Sequence, residues 1–467
     1  MSMKKFVSLL LGILFLVPLQ AASLARPARS AQAPNIIFIL ADDLGYGDLG
    51  CYGQKQIKTP NLDRLAAEGI RFTQCYAGTT VCAPSRSCLM TGQHSGHTRV
   101  RGNDATPLRP EDVTVAELLK KAGYTTGLIG KWGLGLDGTT GTPGKKGFDE
   151  FFGFLSQTAA HAYYPTNIWR NEDILLLDAN ANDQKRVYIH DQFTRAATNF
   201  VRLNKNVPFF LYLAYTLPHA NNELGKASGN GMEIPDDAPY THEDWPQPEK
   251  NKAAMITRLD RDIGRLLDAV QKHRLDSNTV VFFASDNGPH NEGGSKAAFF
   301  HSSGPLRGIK RDLYEGGIRV PMIVRWPGTI RAGQTNDAPW AFWDFLPTAL
   351  DLAGVKTNMP ANLDGQSILP TLLGQTQKPH EFFYWEFHEG GSKQAVRTGD
   401  WKAVQVFGKP LELYDLRTDP GETNNLVAAH PAVVARIQAY LRTARTHDPR
   451  YPLTDKPVRR AAGESVN

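Results

Sequence analysis

The sequence predicts an α/β protein with a large mixed, mostly parallel sheet sandwiched by helices and a smaller C-terminal subdomain of antiparallel sheet plus helix. Three observations carry this expectation. Short continuous apolar runs of strand length alternate with longer helical patterns, as buried parallel strands joined by crossover helices do. From about His380 the pattern changes to short alternating segments broken by Gly and Pro, which suits a small antiparallel sheet. The 467 residues suffice for one large domain with an appendage.

Taken in order, the first 33 residues hold Lys4 and Lys5, an apolar run from Phe6 to about Leu19 and small residues around Ser23-Leu24-Ala25. This is the layout of a secretory signal peptide and leader, and the apolar run is short for a membrane span. The protein is therefore expected to be exported, periplasmic or secreted, with no membrane association after cleavage. The formal charge of +5 drops by two when Lys4 and Lys5 leave, too small a balance for a nucleic-acid footprint. Four cysteines, Cys51, Cys75, Cys82 and Cys88, allow one or two disulfides or free buried thiols.

Residues 34–378 read as the main domain. "NIIFIL" (Asn35 to Leu40) is the first buried strand, and "TTGLIG" (Thr125 to Gly130) follows the helical "TVAELLKKAG". "PFFLYLAY" (Pro208 to Tyr215) precedes a polar, Gly- and Pro-rich stretch from about Asn221 to Lys250, expected to be a surface insertion shaping access to a site. The amphipathic "AAMITRLDRDIGRLLDAVQKH" leads into "NTVVFFA" (Asn278 to Ala284). "RVPMIVRW", also read as a buried parallel strand, precedes the helical "DFLPTALDLAG". Residues 379–467 read as the C-terminal subdomain, with a terminal helix from about Pro431 to Thr446 and a frayed polar tail after Pro449.

Polar groups gather just beyond these strands. Asp42-Asp43 follow the first, Lys131-Trp132 the second, Thr216-Leu217-Pro218-His219 the third and Asp286-Asn287 the fourth. In open α/β sheets ligands bind beyond the carboxyl ends of strands. Two adjacent acids after a buried strand need positive charge, from Arg or Lys partners or from a divalent cation. With Asp286 and Asn287 as further oxygen donors, the set suits Ca²⁺, or less well Mg²⁺, rather than Zn²⁺.

Cys82 opens a helix in "VCAPSRSCLMTGQHSGH", where the helix dipole would favour a thiolate nucleophile. A soft sulfur nevertheless suits a hard-oxygen cation site poorly. Arg86, four residues on, shares the face of Cys82, and with Lys131 and Lys310 it makes the pattern of an anion site.

The run Cys82-Ala83-Pro84-Ser85-Arg86, with Leu89-Met90-Thr91-Gly92, resembles the signature of the formylglycine-dependent sulfatases, arylsulfatase A-like members of the alkaline-phosphatase-like superfamily. "NIIFILADDLGYGDLGCYG", "GLIGKW", "SDNGPH", "LRGIKRDLYEGGIRVPMIVRWPG" and "LYDLRTDPGETNNL" are similar to sulfatase segments in matching order. The resemblance implies an alkaline-phosphatase-like fold and Cys82 oxidised to formylglycine by a maturating enzyme. It implies calcium held by Asp42, Asp43, Asp286, Asn287 and modified Cys82. It also implies Arg86 and Lys131 anchoring the aldehyde hydrate, Lys310 on a sulfate oxygen and His219 as general acid for the leaving alcohol. In the mechanism it implies, one hydrate hydroxyl gives its proton toward Asp286 and attacks sulfur; the other then loses its proton, expelling sulfate and restoring the aldehyde.

One departure stands out. Where many sulfatases read Gly-Lys-Trp-His, this chain has Gly130-Lys131-Trp132-Gly133, so the elimination step needs another base: His161, His94, His97 or water. The substrates expected are sulfated sugars, with aryl sulfates as surrogates, and Tyr163, Tyr164, Trp169, Trp245 and Trp385 are candidate sugar-lining aromatics. The competing readings are a phosphate or phosphonate ester hydrolase on the same scaffold and a secreted glycan-binding pseudoenzyme.

Overall fold

The computed structural model describes residues 33–356 and 359–456, and the leader reading falls, Ala33 apart, outside the described residues. The main sheet contains β1 (Asn35–Ala41), β2 (Ile70–Tyr76), β3 (Thr125–Lys131), β4 (Glu150–Phe154), β5 (Asn167–Arg170), β6 (Asp173–Leu176), β7 (Phe209–Ala214), β8 (Thr279–Ser285), β9 (Arg319–Arg325), β10 (Gln334–Asn336) and β11 (Trp340–Ala341). Their order is β10-β2-β9-β8-β1-β7-β3-β4-β5-β6, with β11 also on β2. The central strands β8, β1, β7, β3 and β4 are parallel to one another.

The period of two along β1 divides the core. Ile37 and Ile39 face one apolar layer, while Ile36, Phe38 and Leu40 face the other. The first layer is closed by helices Ile189–Leu203 and Gln247–Lys272, through residues such as Phe193, Leu259 and Ile263. The second is closed by Val115–Lys121 and Phe345–Leu352, and the Phe38 and Phe345 rings meet edge to face at 4.6 Å. Thr114 and Glu117 form a reciprocal capping box that starts the Val115 helix. No helix among the described residues is long and apolar enough to cross a membrane.

Several expectations need correction. β9, the run "RVPMIVRW", pairs antiparallel with both β8 and β2. The chain reaches it from the loop at the carboxyl end of β8 and turns straight back. A strand covered on both faces reads as a continuous apolar run whichever way it points. The Asn221–Lys250 insertion is tethered rather than purely superficial: Asn221 caps helix Asn222–Ser228, and Met232 and Tyr240 are buried. All four cysteines are free.

A second sheet runs β12 (Phe383–Phe387), β13 (Lys393–Thr398), β14 (Trp401–Val406) and β15 (Glu412–Asp415), antiparallel throughout. The terminal helix is Pro431–Leu441, five residues shorter than expected. The tail after Pro449 is held as far as Lys456 rather than frayed, because Tyr451 is an aromatic anchor in the core and Ser392 N–H donates to Thr454 O at 2.7 Å.

Buried Glu386 on β12 ties these parts together. It accepts from Arg101 at 3.0 Å, Arg445 at 2.6 Å, Tyr384 at 2.7 Å and His388 at 3.0 Å. Burial alone would raise its carboxyl, but the His388 hydrogen bond, the Arg101 charge and the Arg445 hydrogen bond override it and bring it down to about 2. A depressed carboxyl contributes stability above its ordinary 4.5, and that contribution is lost as pH falls from there toward 2. Glu386→Leu removes the carboxylate that neutralises buried Arg101 and half-buried Arg445, so urea titration at pH 7 should show a loss of about 3 kcal/mol. The gap between the variant and the unsubstituted protein should narrow as pH is lowered from 4.5.

Candidate functional site

The register between β1 and β8 opposes Ala41 to Ser285, so both strands end level and their next residues, Asp42-Asp43 and Asp286-Asn287, emerge side by side. β7 lies against the other flank of β1, and β3 beyond it, so the His219 loop and Lys131 reach the same edge. At the close approach of β3 to β7, a Cβ on Gly130 would lie 1.9 Å from Ala214 O, which only glycine avoids. Asp43 has φ of +65°, a left-handed conformation that Asp tolerates better than most residues, and its N–H donates to Asp286 Oδ1 at 3.1 Å.

Three cations close on the acids. Lys131 Nζ is 2.7 Å from Asp42 Oδ2, and Lys310 Nζ is 2.7 Å from Asp43 Oδ2. Arg86, one turn into helix Cys82–Thr91, places its Nη2 2.8 Å from Asp286 and 3.4 Å from Asp42. All of these side chains are buried. Burial works against both Asp42 and Asp43, yet Lys131 holds the first, and Lys310 the second, below the usual carboxylate range. Asp286 behaves oppositely: burial and the nearby Asp42 push it up to about 7 against the pull of Arg86.

Cys82, 2% exposed, heads its helix with Sγ 3.3 Å from Asp42 Oδ1. Burial and the Asp42 charge push its thiol well up, against Lys131, so the dipole of a helix N-terminus does not make it a thiolate. His219 donates from Nδ1 to Ala220 O at 2.7 Å, leaving Nε2 facing Lys310 Nζ at 3.3 Å and Asp43 at 3.5 Å. Burial and the Lys310 charge lower its ring to about 3.

Donor atoms of Asp42, Asp43, Cys82 and His219 lie within 4.8 Å of one another. Asn287 Oδ1 is buried with no hydrogen-bond partner, while its Nδ2 donates to Asp43 Oδ1 at 2.7 Å. An orphaned amide oxygen beside crowded carboxylates fits a hard divalent cation. Asp286 stands somewhat apart from that set, engaged by Arg86.

The structure thus brings together the nine residues expected to hold the cation, the anion and the nucleophile: Asp42, Asp43, Cys82, Arg86, Lys131, His219, Asp286, Asn287 and Lys310. His161 also arrives, stacked on His219. His94 and His97 do not; they sit past the far end of the Cys82 helix, both turned to Asp364. Trp385 is a core residue donating to Ala77 O, and buried Tyr163 donates to Thr216 O and His219 O, so neither can line a sugar site. Sequence reasoning missed Glu292, 3.4 Å from Lys310 and paired with Arg311, and Glu223 behind His161. The nearness of Glu292 to "SDNGPH" was the one signal for it; nothing in the sequence joined Glu223 to His161.

Fold and site together define a hydrolase-type centre in which buried acids and buried cations converge at the carboxyl ends of the central strands, an arrangement suited to an oxyanion. The Sulfatase family model matches residues 34–355, and one for N-sulphoglucosamine sulphohydrolase, C-terminal, matches residues 309–447. Arylsulfatase A of Homo sapiens is 33% identical over 87% of this chain and 85% of its own. N-acetylgalactosamine-6-O-sulfatase of Bacteroides thetaiotaomicron is 28% identical over 95% of this chain and 99% of its own. The crystal structure of Ps i-CgsB in complex with k-i-k-neocarrahexaose superposes with a TM-score of 0.76 at 31% identity, over 88% of this chain and 93% of that one. The chain belongs to the sulfatase family and is a sulfuric ester hydrolase of alkaline-phosphatase-like fold.

Arg86→Met would leave buried Asp286 without its ion-pair partner. Denaturant unfolding should register a loss of about 3–5 kcal/mol, larger than the usual effect of a single surface charge.

Proposed function

We propose that this protein removes sulfate from carbohydrate monoesters outside the cytoplasm, using an oxidised Cys82 and a calcium ion. The observation that carries the reading is the seat of Cys82: buried at a helix head against Asp42, among Lys131, Arg86 and Lys310, where a thiol stays protonated and is a poor nucleophile. Formylglycine at position 82 would supply a hydrated aldehyde, whose oxygen suits a hard-oxygen site and gives sulfate a route of release. A maturating enzyme is then a required partner.

Asp42, Asp43, Asp286 and Asn287, with modified Cys82, would hold Ca²⁺, and the ion there would add positive charge at the sulfate oxygens. The chain's own groups do the rest. Arg86 and Lys131 orient the residue at position 82 through Asp42 and Asp286. Lys310 offers its ammonium to a sulfate oxygen. The Lys310–His219 pair holds the proton offered to the bridging oxygen, with His219 Nε2 as the nitrogen on the reacting side. Asp286, which accepts from Arg86 and the Asp43 N–H, takes the proton of the attacking hydroxyl in this reading. Residues 34–378 carry this chemistry, and 379–467 form the subdomain that braces it.

A sugar leaving group accords with the N-acetylgalactosamine-6-O-sulfatase relative and with the neocarrahexaose bound to Ps i-CgsB. Residues 1–33, read as a signal peptide, direct the chain to the periplasm or beyond.

Peptide mass spectrometry of native material should find the peptide bearing Cys82 about 18 Da lighter than its thiol form, the mass change of an aldehyde replacing a thiol. A wholly unmodified thiol would overturn the catalytic reading. Calcium at about 100 times its Kd should stabilise the chelator-treated protein by about 2.7 kcal/mol. Asp43→Asn should abolish that gain in a thermal melt, and Mg²⁺ should give less of it.

A further inference from the structure

Two segments that are distant in sequence meet over His219. The turn Ala159–His161 follows β4, and helix Asn222–Ser228 opens the insertion that follows His219. The His161 ring stacks on the His219 ring with centroids 4.6 Å apart and planes 17° from parallel. Behind it, Nδ1 lies 3.1 Å from Glu223 Oε2, so the N–H donates to the carboxylate. Burial, with Lys131 nearby, lowers the His161 ring against the pull of Glu223. With Nδ1–H given to Glu223, Nε2 is the nitrogen left with a lone pair, and among the described residues it has no hydrogen-bond partner.

The base of the stack is rigid. His219 is tied through Nδ1 to Ala220 O, and its carbonyl accepts from Tyr163 OH at 2.6 Å. Gly133, with φ of +77°, carries no side chain of its own, and the space a Cβ would take is held by Gln157, whose Nε2 would lie 1.8 Å from it.

We propose that His161, backed by Glu223, is a specificity-determining residue that accepts a hydrogen bond from a hydroxyl vicinal to the sulfate ester. This rests on the sulfatase reading above, in which His219 Nε2 meets the bridging oxygen. The two stacked rings have centroids 4.6 Å apart, a spacing that hydrogen bonds to two neighbouring oxygens of one diol can span. The favoured leaving group is a diol, as on a sugar ring, and the insertion after His219 supplies the carboxylate that holds the second imidazole in its accepting tautomer.

The test compares two esters that differ only in that hydroxyl, catechol monosulfate and phenyl sulfate, with the mature calcium-loaded enzyme and released sulfate as the readout. The unsubstituted enzyme should favour catechol monosulfate in kcat/KM. The ratio of the two should fall roughly 10-fold in His161→Ala and in His161→Phe, the second keeping the stack but losing the acceptor, and by less in Glu223→Gln. The same ratio read as Kd by calorimetry on a Cys82→Ala background should fall in parallel. An unchanged ratio in His161→Phe and Glu223→Gln, or equal losses on both esters, would overturn the proposal and leave the sulfatase reading standing. Absence of sulfate release from either ester by the unsubstituted enzyme would bring down the sulfatase reading, and the proposal with it.

Discussion

Two carboxylates with no access to water, Asp42 and Asp43, stand at the end of the most central strand, and the neighbouring architecture is arranged around their charge. An isolated buried carboxylate is prohibitively costly. Lys131 from β3, Lys310 from the loop before β9 and Arg86 from the Cys82 helix each answer part of that charge. The same cations leave the site receptive to an oxyanion, so the compensation that permits the fold also prepares the chemistry.

Compensation is uneven, and the unevenness is informative. Asp42 and Asp43 stay ionised, while Asp286 is crowded upward by its acidic neighbours, and Asn287 Oδ1 lacks a donor altogether. One further positive charge would relieve both defects. Buried polar networks that are incompletely satisfied by protein groups mark where a ligand completes them.

The parts legible in sequence were those written locally. β1, β3, β7 and β8 announce themselves as apolar runs, and the residue types just past each run name the chemistry. The orientation of β9 was not legible, because two-sided burial erases the distinction between parallel and antiparallel strands. β2, with its mixture of apolar and half-buried polar positions, and the short β5 and β6 at the sheet edge carry too weak a period to be found. Trp385 looked like a sugar platform because an aromatic's burial depends on its distant neighbours, here Tyr76 and Trp343. The His161–Glu223 contact spans 62 residues and has no sequence period at all. Tyr451 likewise turns a polar tail into a packed one through a single aromatic ring.

The strand order also governs when the site can exist. Asn35, at the start of β1, hydrogen-bonds to partners 174 and 244 residues downstream, and Asp43 meets Lys310 across 267 residues. A chain emerging from its amino end therefore carries its two acids from the outset and its last neutralising lysine only after most of the sheet has been made. Loop closure of that length makes such folding slow, and partly made chains hold an apolar central strand with nothing to pair it. The kinetic weak point of this enzyme is the same strand that anchors its chemistry.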